Sequence, residues 1–165
     1  MKRGLAPIAR ADSRILILGS LPGDVSLGAG QYYAHPRNNF WTLISRVTNN
    51  DLAGMDYPAR IAALQSTGIA LWDVVASAHR PGSLDMHITD AELNDLRSFT
   101  RNLPALRLIA FNGRKAATLA RPALNDILIE TITLPSSSPA HAVNIAVKEA
   151  AWAQLKPCLR APALK

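Results

Sequence analysis

The sequence predicts an α/β protein with a central four-stranded, mainly parallel sheet and helices on both faces. Three observations lead there. Strand, loop and helix recur about four times along the chain. The strand segments are short continuous apolar runs, as expected where a strand is covered on both faces. The unusual residues collect in the loops that follow those runs, where open α/β sheets bind their ligands.

The first run, residues 14–19 (Arg-Ile-Leu-Ile-Leu-Gly), reads as a buried parallel strand ending in glycine. A Gly/Pro-rich loop follows from Ser20 to about Pro36. Asn39 to Val47 carries Phe40, Trp41, Leu43, Ile44 and Val47 at the spacing of one helix face. Pro58 opens a second helical segment that stops at Gly68. Gly68 to Val75 is the next strand, with Asp73 near its carboxyl end. Thr89 and Glu92 have capping-box spacing, which predicts a helix from about Asp90 to Arg101. Leu106 to Phe111 is a third strand, and Asn112-Gly113 turns the chain into a helix from Arg114. Ile127 to Leu134 is a fourth strand, and a last helix covers roughly Ala146 to Leu155.

At 165 residues the chain is long enough for one domain with a sizeable core, here residues 1–165. Hydrophobic residues are 48% and charged residues 18%, a globular balance that excludes a disordered tail protein. The formal net charge of +6 favours a polyanionic partner. A single cysteine, Cys158, excludes an intramolecular disulfide and a Cys-rich zinc site. No apolar run approaches the length that spans a membrane, and the N-terminus lacks the pattern of a secretory signal. These features point to a soluble cytoplasmic protein.

Three stretches could carry chemistry. The richest is Gly19-Ser-Leu-Pro-Gly23 followed by Tyr32-Tyr-Ala-His-Pro-Arg-Asn-Asn-Phe-Trp41. Its glycines allow backbone amides close to a ligand, and His35, Arg37 and Asn38 stand just ahead of an amphipathic helix. Phe40 and Trp41 fit the buried face, whereas Asn38 suits a helix cap and a ligand contact equally well. The second is Leu134-Pro-Ser-Ser-Ser-Pro-Ala-His141, either a plain Ser/Pro turn or a loop whose Ser136, Ser137 and Ser138 hydroxyls meet phosphate. The third is Phe111-Asn-Gly-Arg-Lys115, either a solvated helix start or a phosphate cradle.

Other chemistries find no pattern. Gly19-Ser-Leu-Pro-Gly lacks the central serine of a nucleophile elbow, and neither a dinucleotide fingerprint nor a P-loop is present. The four histidines have no zinc-like spacing, so no metal or cofactor is implied. Asp73 and Asp85 could pair as catalytic carboxylates, but no spacing brings them together; topology puts both near the ligand-binding loops, and neither is assigned a catalytic role.

Taken together, Gly-Ser-Leu-Pro-Gly, Tyr-Tyr-Ala-His-Pro-Arg-Asn-Asn-Phe-Trp and Leu-Pro-Ser-Ser-Ser-Pro-Ala resemble the uracil-DNA glycosylase superfamily. The closest likeness is to its hypoxanthine-DNA (deoxyinosine) branch, with the mismatch-specific uracil/thymine glycosylases next. The resemblance runs from about Arg14 to Leu155, in order. It implies a three-layer α/β/α domain that works as a monomeric enzyme on DNA without metal or cofactor. Its product would be an abasic site, left by hydrolysis of the N-glycosidic bond of hypoxanthine, uracil or xanthine.

By the same resemblance, Asn38 is the essential amide and Tyr33 the aromatic that stacks on the flipped base. Gly19, Ser20 and Gly23 shape the base pocket through their backbones, and Asn112 adds a base-edge contact. His35, Arg37, Lys115 and Ser136 to Ser138 contact DNA. Leu21 stands in the pocket position where the mismatch-specific enzymes place a water-positioning Asn. That difference keeps open a non-catalytic DNA-binding member of the fold; a small-molecule α/β hydrolase using the same loops is the other alternative.

Overall fold

The computed structural model describes residues 1–160. Its strands are β1 (Lys2–Arg3), β2 (Ile15–Gly19), β3 (Ile69–Asp73), β4 (Val75–His79), β5 (Thr89–Leu93), β6 (Leu108–Asn112) and β7 (Glu130–Leu134). Its α-helices are α1 (Asp24–Ala29), α2 (Phe40–Thr48), α3 (Tyr57–Ser66), α4 (Leu96–Arg101), α5 (Arg114–Leu124) and α6 (Ile145–Trp152). The main sheet has the order β3-β2-β6-β7 and is parallel throughout.

Strand alternation divides the core in two. Ile15 and Ile17 of β2, Ile69 and Leu71 of β3, and Leu108 and Ala110 of β6 face one cluster. That cluster takes its helical side from Phe40, Trp41, Leu43 and Ile44 of α2, Leu64 of α3 and Trp152 of α6. The intervening residues Leu16, Leu18, Ala70, Ile109 and Phe111 face the other, closed by Leu96 of α4 and by Ala116, Ala117 and Ala120 of α5. Both faces of every central strand are therefore buried, which is why the sequence shows apolar runs there. The predicted three-layer α/β/α architecture is the observed one.

A second sheet, of order β1-β4-β5, was not foreseen. The expected strand Gly68–Val75 divides: β3 stops at Asp73, and after Val74 the chain starts β4, which pairs antiparallel with β1 and β5. The expected helix from Asp90 is accordingly wrong in its first half. Thr89–Leu93 is strand β5, and α4 starts at Leu96, where the Asp95 carboxylate accepts from Ser98 N. Backbone pairing with β4 outweighs the Thr89/Glu92 cap spacing, and Asp95 supplies the actual cap. The loop after β2 also contains a helix, α1, closed by Gly30 in the left-handed conformation.

The main sheet changes direction between β2 and β6: the chain crosses from β2 to β3 on one side and from β6 to β7 on the other. The loops after β2 and β6 diverge there and open a crevice at the carboxyl ends of the strands. Trp152 fixes one side of it. Its ring is fully buried and packs edge-on against Phe40, with centroids 5.8 Å apart, and its Nε1 donates to Pro135 O at 2.9 Å. Trp152→Ala should therefore cost about 3–5 kcal/mol of unfolding free energy, measured by denaturant titration.

Candidate active site

The crevice is a cavity of about 610 Å³, within the usual range of small-ligand sites. Gly19 lies on its floor, and a side chain would not fit there: a Cβ would stand 2.5 Å from Asp73 Oδ1 and 3.1 Å from Tyr33 Oη. The glycine is thus the condition for carboxyl, phenol and strand end to meet at one point.

Tyr32 and Tyr33 diverge. Tyr32 is buried, its hydroxyl donating to Ala6 O at 2.7 Å and its carbonyl accepting from Trp41 Nε1 at 3.2 Å. Tyr33 takes a left-handed backbone, φ 54°, a conformation costly for an aromatic residue. The turn is braced by α1, where Ser26 Oγ accepts from Ala34 N at 3.0 Å. Its result is to lay the Tyr33 ring on Phe40, centroids 3.9 Å apart and planes 16° from parallel, while the residue still lines the cavity.

Asn38 also lines the cavity. Its Oδ1 accepts from Phe40 N at 2.9 Å, so it caps the first turn of α2 from one position ahead of the N-cap, Asn39. Cap and ligand contact are compatible: the backbone N–H fixes which end of the amide is oxygen and leaves Nδ2 as the free donor. His35 Nδ1 accepts from Arg37 N at 3.1 Å, which leaves Nε2 to face outward as a donor when the ring is neutral.

Asn112 ends β6 and is nearly buried. Its Oδ1 accepts from Ser137 N at 2.9 Å, and its Nδ2 donates to Ser137 Oγ at 2.9 Å and to Tyr33 Oη at 3.2 Å. Ser137 O in turn accepts from Asn39 N at 2.9 Å. The serine loop is thereby tied to both β6 and the start of α2. Ser137 is buried within this network, and Ser136 and Ser138 are the two serines left partly exposed at the rim. Lys148 of α6 supports the loop from below, donating to Ser138 O at 3.2 Å.

The other expected residues fall in place unevenly. Gly19, Ser20, Leu21, Gly23, Tyr33, His35, Asn38, Asn112 and the three serines all line the cavity. Arg37 is exposed beside it, and Lys115 stands on the first turn of α5 with its charge felt by Asp85. Ser20 acts through its side chain as well as its backbone, its hydroxyl donating to Asp85 Oδ1 at 2.6 Å. Leu21 packs into a small cluster with Val75, Ala78 and Ile88 beneath the second sheet. Gly23 has an ordinary φ of −66° and room for a Cβ, so neither backbone nor space demands glycine there.

Three further residues belong to the site. Arg80 is buried and donates to the carbonyls of Leu21 (3.1 Å), Pro22 (2.7 Å) and Gly82 (2.8 Å), holding the loop after β2 against the loop after β4. Asp73, at the carboxyl end of β3, and Asp85, on the connection from β4 to β5, both line the cavity. Burial, and then the charge of Asp85, push the Asp73 carboxyl up to about 7, with Arg80 opposing. Burial raises Asp85 as well, against the Ser20 hydrogen bond and the charges of Arg80 and Lys115. Topology already puts Asp73, which closes an apolar strand, and Asp85 near the pocket, whereas Arg80 had no signal of its own. Among the described residues, no three His, Cys, Asp or Glu side chains gather closely enough to hold a metal ion.

Comparison with known proteins agrees with this geometry. The family model for the uracil DNA glycosylase superfamily matches residues 7–156. Hypoxanthine DNA glycosylase from Methanosarcina barkeri is 39% identical over 153 residues, covering 93% of this chain and 96% of the relative. The protein of the same name from Methanosarcina acetivorans is 41% identical over 152 residues, with 92% and 96% coverage. A solution NMR structure from M. acetivorans, provisionally designated a uracil DNA glycosylase, superposes with a TM-score of 0.82 at 40% identity, covering 94% of this chain and 98% of that one.

The buried acid sets a pH dependence of stability. Asp73 releases its proton near its ordinary value of 3.8 when unfolded and near 7 when folded. Between those values the native state holds a proton that the unfolded chain has lost. The resulting stability is complete below about pH 4 and is lost as the pH rises through 7. Asp73→Asn should match the parent at pH 4 and exceed it at pH 8 by up to about 4 kcal/mol, read from denaturant midpoints at the two pH values.

Proposed function

As a member of the uracil DNA glycosylase superfamily, this chain is a DNA glycosylase that removes deaminated bases, and we propose that hypoxanthine is the base its pocket takes, with Asn38 as the catalytic amide. The observation that carries this reading is the fixed polarity of Asn38, with Oδ1 held by Phe40 N and Nδ2 free at the cavity.

A base inside a duplex is out of reach, so the nucleotide must be extruded, at a cost of a few kcal/mol. Tyr33, held against Phe40 and by Asn112, offers a ring for the extruded base to stack on. As the N-glycosidic bond lengthens, positive charge grows on the sugar and negative charge on the base. A donor fixed in place before the reaction stabilises that negative charge without reorganising. Asn38 Nδ2 is such a donor, because its orientation is set by the helix it caps.

Leu21 bears on which base is released. Its side chain packs beneath the second sheet and offers no polar group to hold water at that position. The site therefore works as a hypoxanthine site first, with uracil the poorer substrate. Ser136, Ser138, His35, Arg37 and Lys115 provide donors along the rim for the phosphates beside the extruded nucleotide. The chain acts as one domain and as a monomer on damaged DNA.

The test is release of hypoxanthine from an end-labelled oligonucleotide, with alkali to cut the abasic product. Parent protein should give alkali-dependent cleavage at hypoxanthine and slower cleavage at uracil. Asn38→Asp retains the acceptor for Phe40 N but replaces the free donor with oxygen. It should lose about 10²–10³-fold in rate, with thermal stability close to the parent's. Equal rates for the two proteins would remove Asn38 from the mechanism, and salt-sensitive DNA binding without release would leave a binding module.

A further inference from the structure

Among the described residues, none donates a hydrogen bond to one carboxyl group of the pocket. Asp73 is 3% exposed, and its Oδ2 is buried with no partner among the described residues. The amide, guanidinium and serine donors nearby are engaged elsewhere, and the Tyr33 hydroxyl, which accepts from Asn112 Nδ2, makes no hydrogen bond to this carboxyl. Ser20 donates to Asp85, the Asn112 amide serves Ser137 and Tyr33, and Arg80 is spent on three backbone carbonyls. An ionised Asp73 would therefore be a buried charge without a counter-ion, an expensive state. The neutral acid is the cheaper form, and it has an O–H to give.

From this juxtaposition we propose that Asp73 is a general acid that protonates N7 of hypoxanthine as the glycosidic bond breaks. The inference rests on the reading that this pocket excises hypoxanthine. The groups facing Asp73 are consistent with it. Asp85, from the short 3-10 turn Asp85–His87, favours retention of the proton, while Arg80, just after β4, opposes it. Tyr32 and Tyr33, from the loop before α2, are themselves raised by burial and stay neutral. Lys115 of α5 acts on Asp85. The balance puts the Asp73 carboxyl at about 7, where a general acid is both protonated and able to let its proton go.

The step balances within the pocket and solvent. The Asp73 O–H bond breaks and an N7–H bond forms. The C1′–N9 bond breaks with its electron pair going to the base, and hypoxanthine leaves neutral as its N7–H tautomer. The deoxyribosyl cation takes up water, and the surplus proton of that water restores the Asp73 acid. Uracil has no imidazole nitrogen and must leave as an anion, so the same acid favours purine release. This is a different source of selectivity from Leu21, which concerns the water.

The experiment is single-turnover release from DNA carrying hypoxanthine or 7-deazahypoxanthine, by parent and Asp73→Asn, from pH 6 to pH 9, with DNA binding measured alongside. On hypoxanthine the parent rate should fall about tenfold per pH unit above the Asp73 titration. Asp73→Asn at pH 6 should be about 10²–10⁴-fold slower and insensitive to pH, while DNA binding stays within a few-fold. The 7-deaza base lacks the proton acceptor, so the parent should be slow on it by a similar factor. Asp73→Asn releasing hypoxanthine within about threefold of the parent, or a parent that removes both bases at one rate, would overturn the assignment. The 7-deaza comparison needs only parent protein, so it stands even if the variant folds poorly. A parent that releases no hypoxanthine would instead overturn the proposed function itself.

Discussion

The site depends on one amide. Asn112 ends a central strand and commits both of its amide hydrogens and one Oδ1 lone pair to two partners, Ser137 and Tyr33. Through Ser137 it fixes the serine loop, and through Ser137 O it reaches Asn39 at the start of α2. Three segments far apart in sequence are thus referred to a single rigid strand end. A buried amide with both hydrogens and its oxygen engaged costs little, whereas losing one partner would leave a buried polar group unsatisfied. With both amide hydrogens committed, Asn112 holds Tyr33 and the serine loop in place at the cavity.

Much of this was legible in the sequence because it follows from burial. The central strands are covered on both faces and read as apolar runs, and the spacing of Phe40, Trp41, Leu43 and Ile44 marked the buried face of α2. Topology then placed the loops after β2 and β6 at the crevice, where Gly19, Tyr33 and Asn38 are found. What stayed hidden lacked a burial signal. None of the residues of β5 is buried, so no periodicity announced it, and the Thr89/Glu92 spacing imitated a helix start. Asp73 and Asp85 come together only because that unseen hairpin folds back over the loop after β2.

The charges of the pocket follow a division of labour. Arg80 is enclosed and serves as a clamp between two loops, its charge met by three backbone carbonyls and, at 3.7 Å, by the Asp24 carboxylate. Ser136 and Ser138 stay partly exposed at the rim. Asp73, 3% exposed, accepts no side-chain hydrogen bond from the described residues. Cations such as Arg37 and Lys115 thus stand outside, while inside the pocket burial pushes the Asp73 and Asp85 carboxyls toward the neutral form, an arrangement that suits a polyanion delivering an uncharged base to the interior.

The single residue Val74 separates β3 from β4, passing the chain from the parallel sheet to the antiparallel one. The wall bearing Arg80 and Asp85 therefore belongs to a hairpin attached to the catalytic scaffold, while the floor bearing Gly19 and Asn112 belongs to the scaffold itself. Such a fold is modular: the connection between β4 and β5 can lengthen, shorten or change its side chains without disturbing the pairing of β2 with β6. The shape of the pocket can thus diversify along a lineage while the machinery that breaks the bond is left intact.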